Sequence, residues 1–270
     1  MTRLFQTRHL LAVTTISLLT ACGGGGSDGG DGGGEPTGLV PTPPALGDTL
    51  YANATVLRPL TPGASWDYAG LTPSNLSYSN TVSHAAASEG VIESSTNTLA
   101  SGAGVVNVVA RSGSILQVAP IDFNGDGVDD VRDVIELRSP VRANDQYTAF
   151  DQRLTSAVPD IDGDARAESL DVAVYTRVIR AENVTPPGLP AIASVRVDRV
   201  VAARVLLSAN SSFGPTVRAT QSVWYASGIG VVRQVNELVQ GGGEKGRHGC
   251  DYPAQRGQVL AGARAKPPLQ

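Results

Sequence analysis

The sequence predicts a mainly β protein built as a single antiparallel, meandering domain, either a barrel or a half-barrel. Short runs of β-branched or alternating apolar residues recur between 49 and 240, and Gly, Pro, Asn and Ser separate them. GVVNVVARSGSILQVAPI is one example, in which a Ser-Gly turn divides two runs. Around eight to eleven such runs favour a meandering sheet, and the roughly 190 residues they occupy suffice for one core.

The first 21 residues predict a bacterial lipoprotein signal peptide. Arg3 and Arg8 precede an apolar run from Leu10 to Leu19, which is too short to span a bilayer as a mature helix. The segment that follows, Leu19-Thr20-Ala21-Cys22, resembles a lipobox. Cleavage before Cys22 would make that residue the lipid-modified N-terminus, so a membrane anchor at Cys22 is expected.

The residues after Cys22 predict the location and the tether. An Asp directly after the lipidated Cys commonly retains Gram-negative lipoproteins in the inner membrane, whereas this chain has Gly23. The resemblance therefore implies a lipid anchor in the outer membrane. Residues 22–48 are rich first in Gly and then in Pro, which predicts a flexible tether with a stiffer end. Residues 241–270 lack hydrophobic periodicity and predict a disordered tail.

Two acidic segments inside the 49–240 domain have the ligand spacing of a calcium loop. Calcium takes about six to eight oxygen ligands, and a loop of about 12 residues supplies them from positions 1, 3, 5, 7, 9 and 12, with Gly at position 6 for a sharp bend. The first acidic loop (122–133) is DFNGDGVDDVRD, and the second acidic loop (160–171) is DIDGDARAESLD. The predicted ligands, with a backbone carbonyl at position 7, are Asp122, Asn124, Asp126, Val128, Asp130 and Asp133, then Asp160, Asp162, Asp164, Arg166, Glu168 and Asp171.

The two acidic loops differ at position 6, where the first has Gly127 and the second has Ala165. If the bend needs a left-handed residue, Ala costs about 1–2 kcal/mol at that position. We therefore rank the first acidic loop above the second and expect one or two Ca²⁺ ions. The alternative for each loop is a polar turn between two strands, because Asp, Asn and Gly are common turn formers.

The loops resemble two known groups of calcium sites. EF-hand and dockerin loops share the spacing, but helices flank them. Here VIEL and VAVYTRVI follow the loops, and their β-branched residues predict strands. This context is more similar to the loops of FG-GAP and VCBS repeats, in which a D-x-[DN]-x-D-G-x-x-[DE] hairpin leads into a strand. That resemblance implies that the residue at position 12, Asp133 or Asp171, is not required.

The two ends of the domain resemble a group of uncharacterised bacterial envelope lipoproteins. The group has P-L-x-x-G-x-x-W-x-Y near the start and W-Y-A-x-G-[VI]-G-x-V-[KR] at the last hairpin. The matching residues here are Pro59, Leu60, Gly63, Trp66 and Tyr68, then Trp224, Tyr225, Ala226, Gly228, Ile229, Gly230, Val232 and Arg233. The resemblance implies an envelope module and, by analogy, a fold like the lipoprotein-carrier half-barrels. Both Trp residues are expected in the core or at its lip, and Gly228 and Gly230 in turns.

Few residues could be catalytic. His9 lies in the signal peptide and His248 in the tail, and His84 is expected at the surface or at a strand edge. The chain has no G-x-S-x-G, H-E-x-x-H or P-loop motif. The net charge is −4 and no basic stripe is present, which argues against nucleic acid as a partner.

The sequence thus predicts a non-catalytic, calcium-binding envelope lipoprotein, with an envelope protein or a small apolar ligand as its partner. The alternative is a calcium-dependent hydrolase that acts on an extracytoplasmic polymer. A carboxylate outside the two acidic loops, facing a cleft and with a raised pKa, would favour the hydrolase.

Cys22→Ser should leave an unprocessed or soluble protein, because the acyl chains have no attachment site. A single acyl chain binds a bilayer with an affinity of only about 10⁴ M⁻¹, so we expect several chains on the mature Cys22. Membrane fractionation followed by mass spectrometry checks this. Cys250→Ser is the matched control and should remain in the membrane fraction. A Cys22→Ser protein found in membranes at the mature mass would contradict the lipobox.

Overall fold

The computed structural model describes residues 36–72, 76–99, 103–123, 127–186, 190–208, 212–241 and 255–266. The predicted signal peptide, Cys22 and the Gly-rich part of the tether lie outside the described residues. The fold is mainly antiparallel β, as predicted, and its sheets do not close into a barrel. The described residues include one 3-10 turn, Ala54–Val56. None of their helices has the length and apolar character needed to span a membrane.

The strands form two meanders. The strands in chain order are β1 (Thr49–Tyr51), β2 (Ser65–Leu71), β3 (Ser77–Ala86), β4 (Val91–Asn97), β5 (Ala103–Arg111), β6 (Ser114–Ile121), β7 (Val131–Leu137), β8 (Val141–Arg142), β9 (Gln146–Val158), β10 (Glu168–Val184), β11 (Ile192–Leu206), β12 (Ser212–Ala226), β13 (Gly230–Gly241) and β14 (Gln255–Lys266). The first meander runs from β2 to β7 and the second from β9 to β13. β14 pairs with β13 on one side and with β2 on the other, which gives one order of twelve strands. β1 and β8 form a separate pair.

The outer strands of this order, β7 and β9, approach each other without a backbone ladder between them. Tyr147 donates its hydroxyl to the carbonyl of Glu136 at 3.0 Å, and Thr176 donates to the carbonyl of Ile135 at 2.9 Å. Side-chain hydroxyls from β9 and β10 thus satisfy carbonyls of the β7 edge. The sheet therefore curls into a half-barrel and stays open.

The core lies on the inner faces of both meanders. Successive side chains of a strand point to opposite faces of the sheet, so every second residue faces the core. In β4, for example, every second residue from Val91 to Asn97 is buried. The main apolar cluster combines Val91 and Ile115 of the first meander with Val197 and Tyr225 of the second, around the fully buried Leu57. Because both meanders contribute to one cluster, they form a single packed unit.

The folded unit begins before the predicted boundary at residue 49. Thr37 and Leu39 are buried, and the backbone N–H of Thr37 donates to Asp151 at 3.1 Å. Leu39 packs against Ala173 and Ala202 of β10 and β11. Thr37 and Leu39, which the sequence places in the tether, are thus packed against the domain. Leu39 fits there because Ala173 and Ala202 are small. Both alanines are far from Leu39 in the sequence, so the composition around Leu39 does not reveal this contact.

The predicted disordered tail contains a strand. Residues 255–266 form β14, whose backbone pairs with β13 at Asn236 to Leu238 and with β2 from Ser65 to Leu71. The segment is rich in Gly, Ala and Arg, which have little preference for strands. However, the facing edges of β13 and β2 carry backbone groups that need partners, and β14 supplies them. The rest of the predicted tail, 242–254 and 267–270, lies outside the described residues.

Candidate functional site

Both acidic loops connect antiparallel strands and have no flanking helix. The first acidic loop joins β6 to β7, where Ile121 pairs with Val131. The second joins β9 to β10, where Val158 pairs with Glu168. The expected strand context after each loop is confirmed. In both loops the chain passes from one antiparallel strand directly into its neighbour.

Each acidic loop bends at position 6. Gly127 has a φ of 86° and Ala165 a φ of 67°, both in the left-handed region. The N–H of Gly127 donates to Asp122 Oδ2 at 2.8 Å, and the N–H of Ala165 donates to Asp160 Oδ2 at 2.9 Å. The bend therefore needs a left-handed residue in both loops. In the second loop this strains Ala165 by about 1–2 kcal/mol.

The loops also share a bond between positions 2 and 9. The N–H of Phe123 donates to Asp130 Oδ2 at 2.7 Å, and the N–H of Ile161 donates to Glu168 Oε1 at 3.3 Å. This bond returns the position-9 carboxylate to the start of the loop, beside the position-1 carboxylate. The described residues of the first loop thus make the same bonds at positions 1, 2, 6 and 9 as those of the second loop.

The second acidic loop contains a compact group of carboxylates. Oxygen atoms of Asp160, Asp162 and Glu168 lie within 4.8 Å of one another. Ca²⁺ binds oxygen at about 2.3–2.6 Å, so two ligands of one ion can be separated by up to about 5 Å. Glu168 is fully buried, and its Oε2 has no hydrogen-bond partner. A buried carboxylate oxygen without a partner is costly, and a cation beside it would offset that cost.

Several predicted ligands make other contacts. Asp164 accepts the N–H of Arg166 at 2.9 Å and the hydroxyl of Ser208. It does not belong to the carboxylate group of the second acidic loop. In the first acidic loop, the Val128 side chain is exposed, and Asn124 and Asp126 lie outside the described residues. Only part of the first loop can therefore be compared with the second.

Both residues at position 12 are ion-paired with arginine. Asp133 lies in β7 and contacts Arg111 at 3.0 Å. Asp171 is fully buried in β10, where Arg153 and Arg204 contact it at 2.8 Å and 2.7 Å. We therefore do not count Asp133 or Asp171 as ligands. The strands that begin before position 12 direct both side chains to arginines of neighbouring strands.

A network of buried charges lies between the two meanders, and the sequence motifs do not reveal it. Arg58 contacts Glu93 of β4 at 2.6 Å and Glu136 of β7 at 3.2 Å. Arg199 of β11 contacts the other oxygen of Glu136 at 2.6 Å. We name these four residues and the cavity they line the charged cleft. Its volume is about 50 Å³, which is room for a few water molecules.

Uncharged polar side chains complete the charged cleft. Arg199 contacts the hydroxyl of Tyr225 at 2.5 Å and donates to Gln221 at 3.1 Å. The Gln117 amide donates to Glu136. Every member of the cleft therefore has at least one partner from a different strand. Such pairing is what keeps charged groups stable inside a β domain.

The pKa of Glu93 shows how the charged cleft changes the ionisation of this buried acid. Burial by itself favours the neutral acid, but the charge of Arg58 and the hydrogen bond from His84 outweigh it. The pKa of Glu93 falls from 4.5 to about 2. Glu93 thus remains ionised at neutral pH.

His84 is not at the surface, and that prediction is wrong. It is buried in β3, with Nε2 2.9 Å from Glu93 Oε2 and its ring edge-on to Trp66 at 4.7 Å. The alternation of β3 could have shown this, because His84 is two residues after the buried Val82 and four after the buried Asn80.

The two sequence motifs at the ends of the domain, residues 59–68 and 224–233, meet in space. The N–H of Gly228 donates to the carbonyl of Val56 at 2.7 Å, next to the first motif, and the Tyr68 hydroxyl donates to the carbonyl of Val231 at 3.0 Å. Trp66 and Trp224 are buried, as expected. The motifs therefore hold the start of the first meander against the last hairpin of the second, at the wall of the charged cleft.

Comparisons with known proteins found little. No family model and no curated protein matches the chain. A crystal structure of a predicted exported protein with a YmcC-like fold, from Bacteroides fragilis, is 15% identical with a TM-score of 0.43, and the match covers 77% of this chain and 99% of that chain. A predicted lipoprotein from Parabacteroides distasonis is 17% identical with a TM-score of 0.41, covering 77% of this chain and 98% of that chain. TM-scores this low do not establish a shared fold, so nothing about function follows from them.

The strain at Ala165 predicts a stabilising substitution. Ala165→Gly should raise the free energy of unfolding by about 1 kcal/mol, because glycine adopts a left-handed φ without a steric penalty. Urea unfolding measures the change. Ala167→Gly is the matched control two residues later in the same loop, and it should be neutral or destabilising. Equal effects of the two substitutions would contradict a strained bend.

The lowered pKa of Glu93 predicts a loss of stability in acid. The folded pKa is below the ordinary value, so the contribution of Glu93 is present above about pH 4.5 and is lost as the pH falls towards 2. The free energy of unfolding should fall by roughly 2 kcal/mol more in the wild type than in Glu93→Gln between pH 6 and pH 3. Asp48→Asn, which removes an exposed carboxylate, is the control and should retain the wild-type pH dependence. Parallel pH curves for wild type and Glu93→Gln would show that Glu93 is not the titrating group.

Proposed function

We propose that the protein is a non-catalytic module of the bacterial cell envelope, anchored in the outer membrane through lipid on Cys22 and stabilised by Ca²⁺ at the second acidic loop. The observation that carries the proposal is the buried, unpartnered Oε2 of Glu168 beside Asp160 and Asp162. The anchor rests on the lipobox at residues 19–22.

The residues of the second acidic loop fit calcium better than magnesium. Asp160 and Asp162 are exposed on a loop, whereas Glu168 is fixed at the start of β10. Ca²⁺ accepts flexible sets of carboxylates and carbonyls, whereas Mg²⁺ requires a compact octahedral site and retains several waters. Bound Ca²⁺ would supply the positive charge that these three carboxylates lack.

The first acidic loop is proposed as a second calcium site. Its bonds at positions 1, 2, 6 and 9 are those of the second loop. The second loop now ranks above the first as a calcium site, which reverses the ranking expected from Gly127 and Ala165. The second loop has the stronger support, because the Oε2 of its buried Glu168 has no hydrogen-bond partner, whereas Asp130 is only half-buried.

The acids of the charged cleft support a non-catalytic function. Glu93 and Glu136 meet the first condition for a hydrolase, because they are carboxylates outside the acidic loops that face a cavity. A hydrolase of the glycosidase type also needs a carboxylic acid that holds its proton near neutral pH. Glu93 has a pKa of about 2, and Glu136 is paired with two arginines. Glu93 therefore holds no proton at neutral pH that it could donate as a general acid.

The calcium proposal predicts a reversal in the effect of Glu168→Gln. Without metal, the substitution removes a buried negative charge whose Oε2 has no partner, so it should be neutral or stabilising. With Ca²⁺ it removes a ligand, so it should destabilise relative to the wild type. Extracytoplasmic calcium modules bind at roughly 10⁻⁴ to 10⁻³ M, and binding stabilises by about 2.7 kcal/mol at a hundredfold excess over the dissociation constant. Melting temperatures in EDTA, Mg²⁺ and Ca²⁺ measure both effects.

Asp67→Asn is the matched control, because Asp67 is an exposed acid of β2 far from the loop sequence. It should keep the wild-type response to Ca²⁺. Calorimetry that detects no heat on addition of Ca²⁺, together with a melting temperature unchanged by EDTA, would rule the site out.

A further inference from the structure

Both acidic loops lie at the same end of the sheet. Adjacent antiparallel strands run in opposite directions, so every second connection of a meander is at one end. Because β14 pairs antiparallel with both β13 and β2, the connections β2–β3, β4–β5, β6–β7, β9–β10 and β11–β12 share an end, which we name the loop rim. The strand ends that carry the two acidic loops also pack into one apolar cluster, which includes Ile121, Val131, Leu154 and Leu170.

Exposed apolar side chains concentrate on the loop rim. Among the described residues, ten large apolar side chains are exposed, and six of them lie in or beside the rim connections. Val128 and Ile161 belong to the acidic loops themselves. A surface that carries apolar side chains beside charged groups is typical of proteins that bind the interface of a bilayer. The six side chains are Leu71, Leu76, Leu99, Val128, Ile161 and Phe213.

The segment that precedes β1 leads to the loop rim. Gly47 donates its N–H to the carbonyl of Ala143 at 2.8 Å, just before β9 begins and therefore at the end opposite the rim. Thr37 donates its N–H to Asp151, farther along β9, at 3.1 Å. Traced backwards from Gly47 to Thr37, the chain thus runs along β9 towards the loop rim.

The anchor proposed at Cys22 is therefore close to the loop rim. Asp151 pairs with Ala173 of β10, and about 16 Å of strand separates Ala173 from Glu168 at the rim. The opposite end of β10 is about 36 Å away. A Gly-rich chain of about 15 residues, the length from Cys22 to Thr37, has an r.m.s. span of about 20 Å. A relaxed chain of this length reaches the rim but not the opposite end, so the rim faces the bilayer.

The second acidic loop leaves calcium positions for oxygens from outside the chain. Ca²⁺ takes about six to eight oxygen ligands. Of the six predicted ligands, Asp171 is held by two arginines and Asp164 contacts a serine hydroxyl. The compact group consists of Asp160, Asp162 and Glu168. Lipid phosphate oxygens are hard ligands of the same kind and can take the remaining positions. Without Ca²⁺, the same carboxylates repel an anionic bilayer.

From these observations we propose that, with Ca²⁺, the loop rim docks on the phospholipid bilayer that holds the anchor. Ca²⁺ joins carboxylates of the acidic loops to phosphates of anionic lipids, and the exposed apolar side chains enter the bilayer interface. The docking rests on the calcium site and the anchor proposed above, and it gives that calcium site a partner.

The test uses the full, lipidated chain in vesicles of phosphatidylethanolamine and phosphatidylglycerol. A fluorophore sensitive to polarity is attached to Leu76→Cys or Phe213→Cys, one on the rim of each meander, in a Cys250→Ser background. Leu46→Cys is the matched control, because Leu46 is 58% exposed, Leu76 is 55% exposed, and Leu46 lies at the opposite end beside Gly47. Ca²⁺ should shift the emission of both rim labels to shorter wavelength and leave the label at Leu46 unchanged. Unchanged emission at both rim positions, or an equal shift at Leu46, would overturn the docking.

Two further measurements on the same labelled proteins separate the docking from the proposals on which it rests. A melting temperature that rises with Ca²⁺ in detergent, with unchanged emission in vesicles, would overturn the docking and leave the calcium site standing. No rise and no emission shift would overturn both. Protein that fails to sediment with the vesicles in EDTA would overturn the anchor and the docking with it.

Anionic lipid should also tighten calcium binding, because two coupled ligands change each other's affinity by the same factor. Replacing phosphatidylcholine vesicles by vesicles with phosphatidylglycerol should lower the Ca²⁺ concentration at half-maximal emission shift by about fivefold or more. Glu168→Gln should weaken the calcium response, whereas Asp67→Asn, which changes an exposed acid of β2, should retain it. Equal calcium midpoints in the two lipids, or a wild-type response in Glu168→Gln, would overturn the proposal.

Discussion

The pairing of two arginines with two buried glutamates is the constraint on which the rest of the structure depends. Arg58 lies in the segment before β2, and its partners Glu93 and Glu136 lie in β4 and β7. Arg199 reaches Glu136 from β11, so both meanders contribute to the network. Taking these charges out of water is costly, and removing one partner of a buried pair costs about 3–5 kcal/mol. The meanders therefore pack stably only in the arrangement that neutralises all four charges, and the hydrophobic core around Leu57 has to form in that same arrangement.

Local pattern was sufficient to predict much of the fold and parts of the site. Alternating residues in strands such as β4 carry a period of two, which depends only on neighbours in the sequence. The bend at Ala165 was equally predictable, because the 12-residue spacing sets it. The charged cleft was not predictable, since Arg58 and Glu136 are 78 residues apart and nothing local marks them as partners. The strand at 255–266 was missed for a related reason, because its pairing depends on the edges of β13 and β2.

The two acidic loops show how the strand that follows a loop controls its chemistry. Both loops use the same hydrogen bonds at positions 1, 2, 6 and 9. In the second loop, position 9 is also the first residue of β10, so Glu168 is pulled into the interior. In the first loop, β7 begins one residue after Asp130, which stays half-buried. The start of the strand differs by one residue between the two loops. That difference is enough to bury the carboxylate at position 9 in the second loop and to leave it partly exposed in the first.

The place of β14 has a consequence for the order of assembly. This strand lies in the middle of the twelve-strand order, between β13 and β2, yet it comes last in the sequence. Ribosomal synthesis delivers the chain from its N-terminus, so both meanders emerge before the strand that joins them. Until residues 255–266 arrive, β2 and β13 present open edges that can pair with other chains. Contacts of such long sequence separation form slowly, so the two open edges persist until the last strand of the chain has paired with both of them.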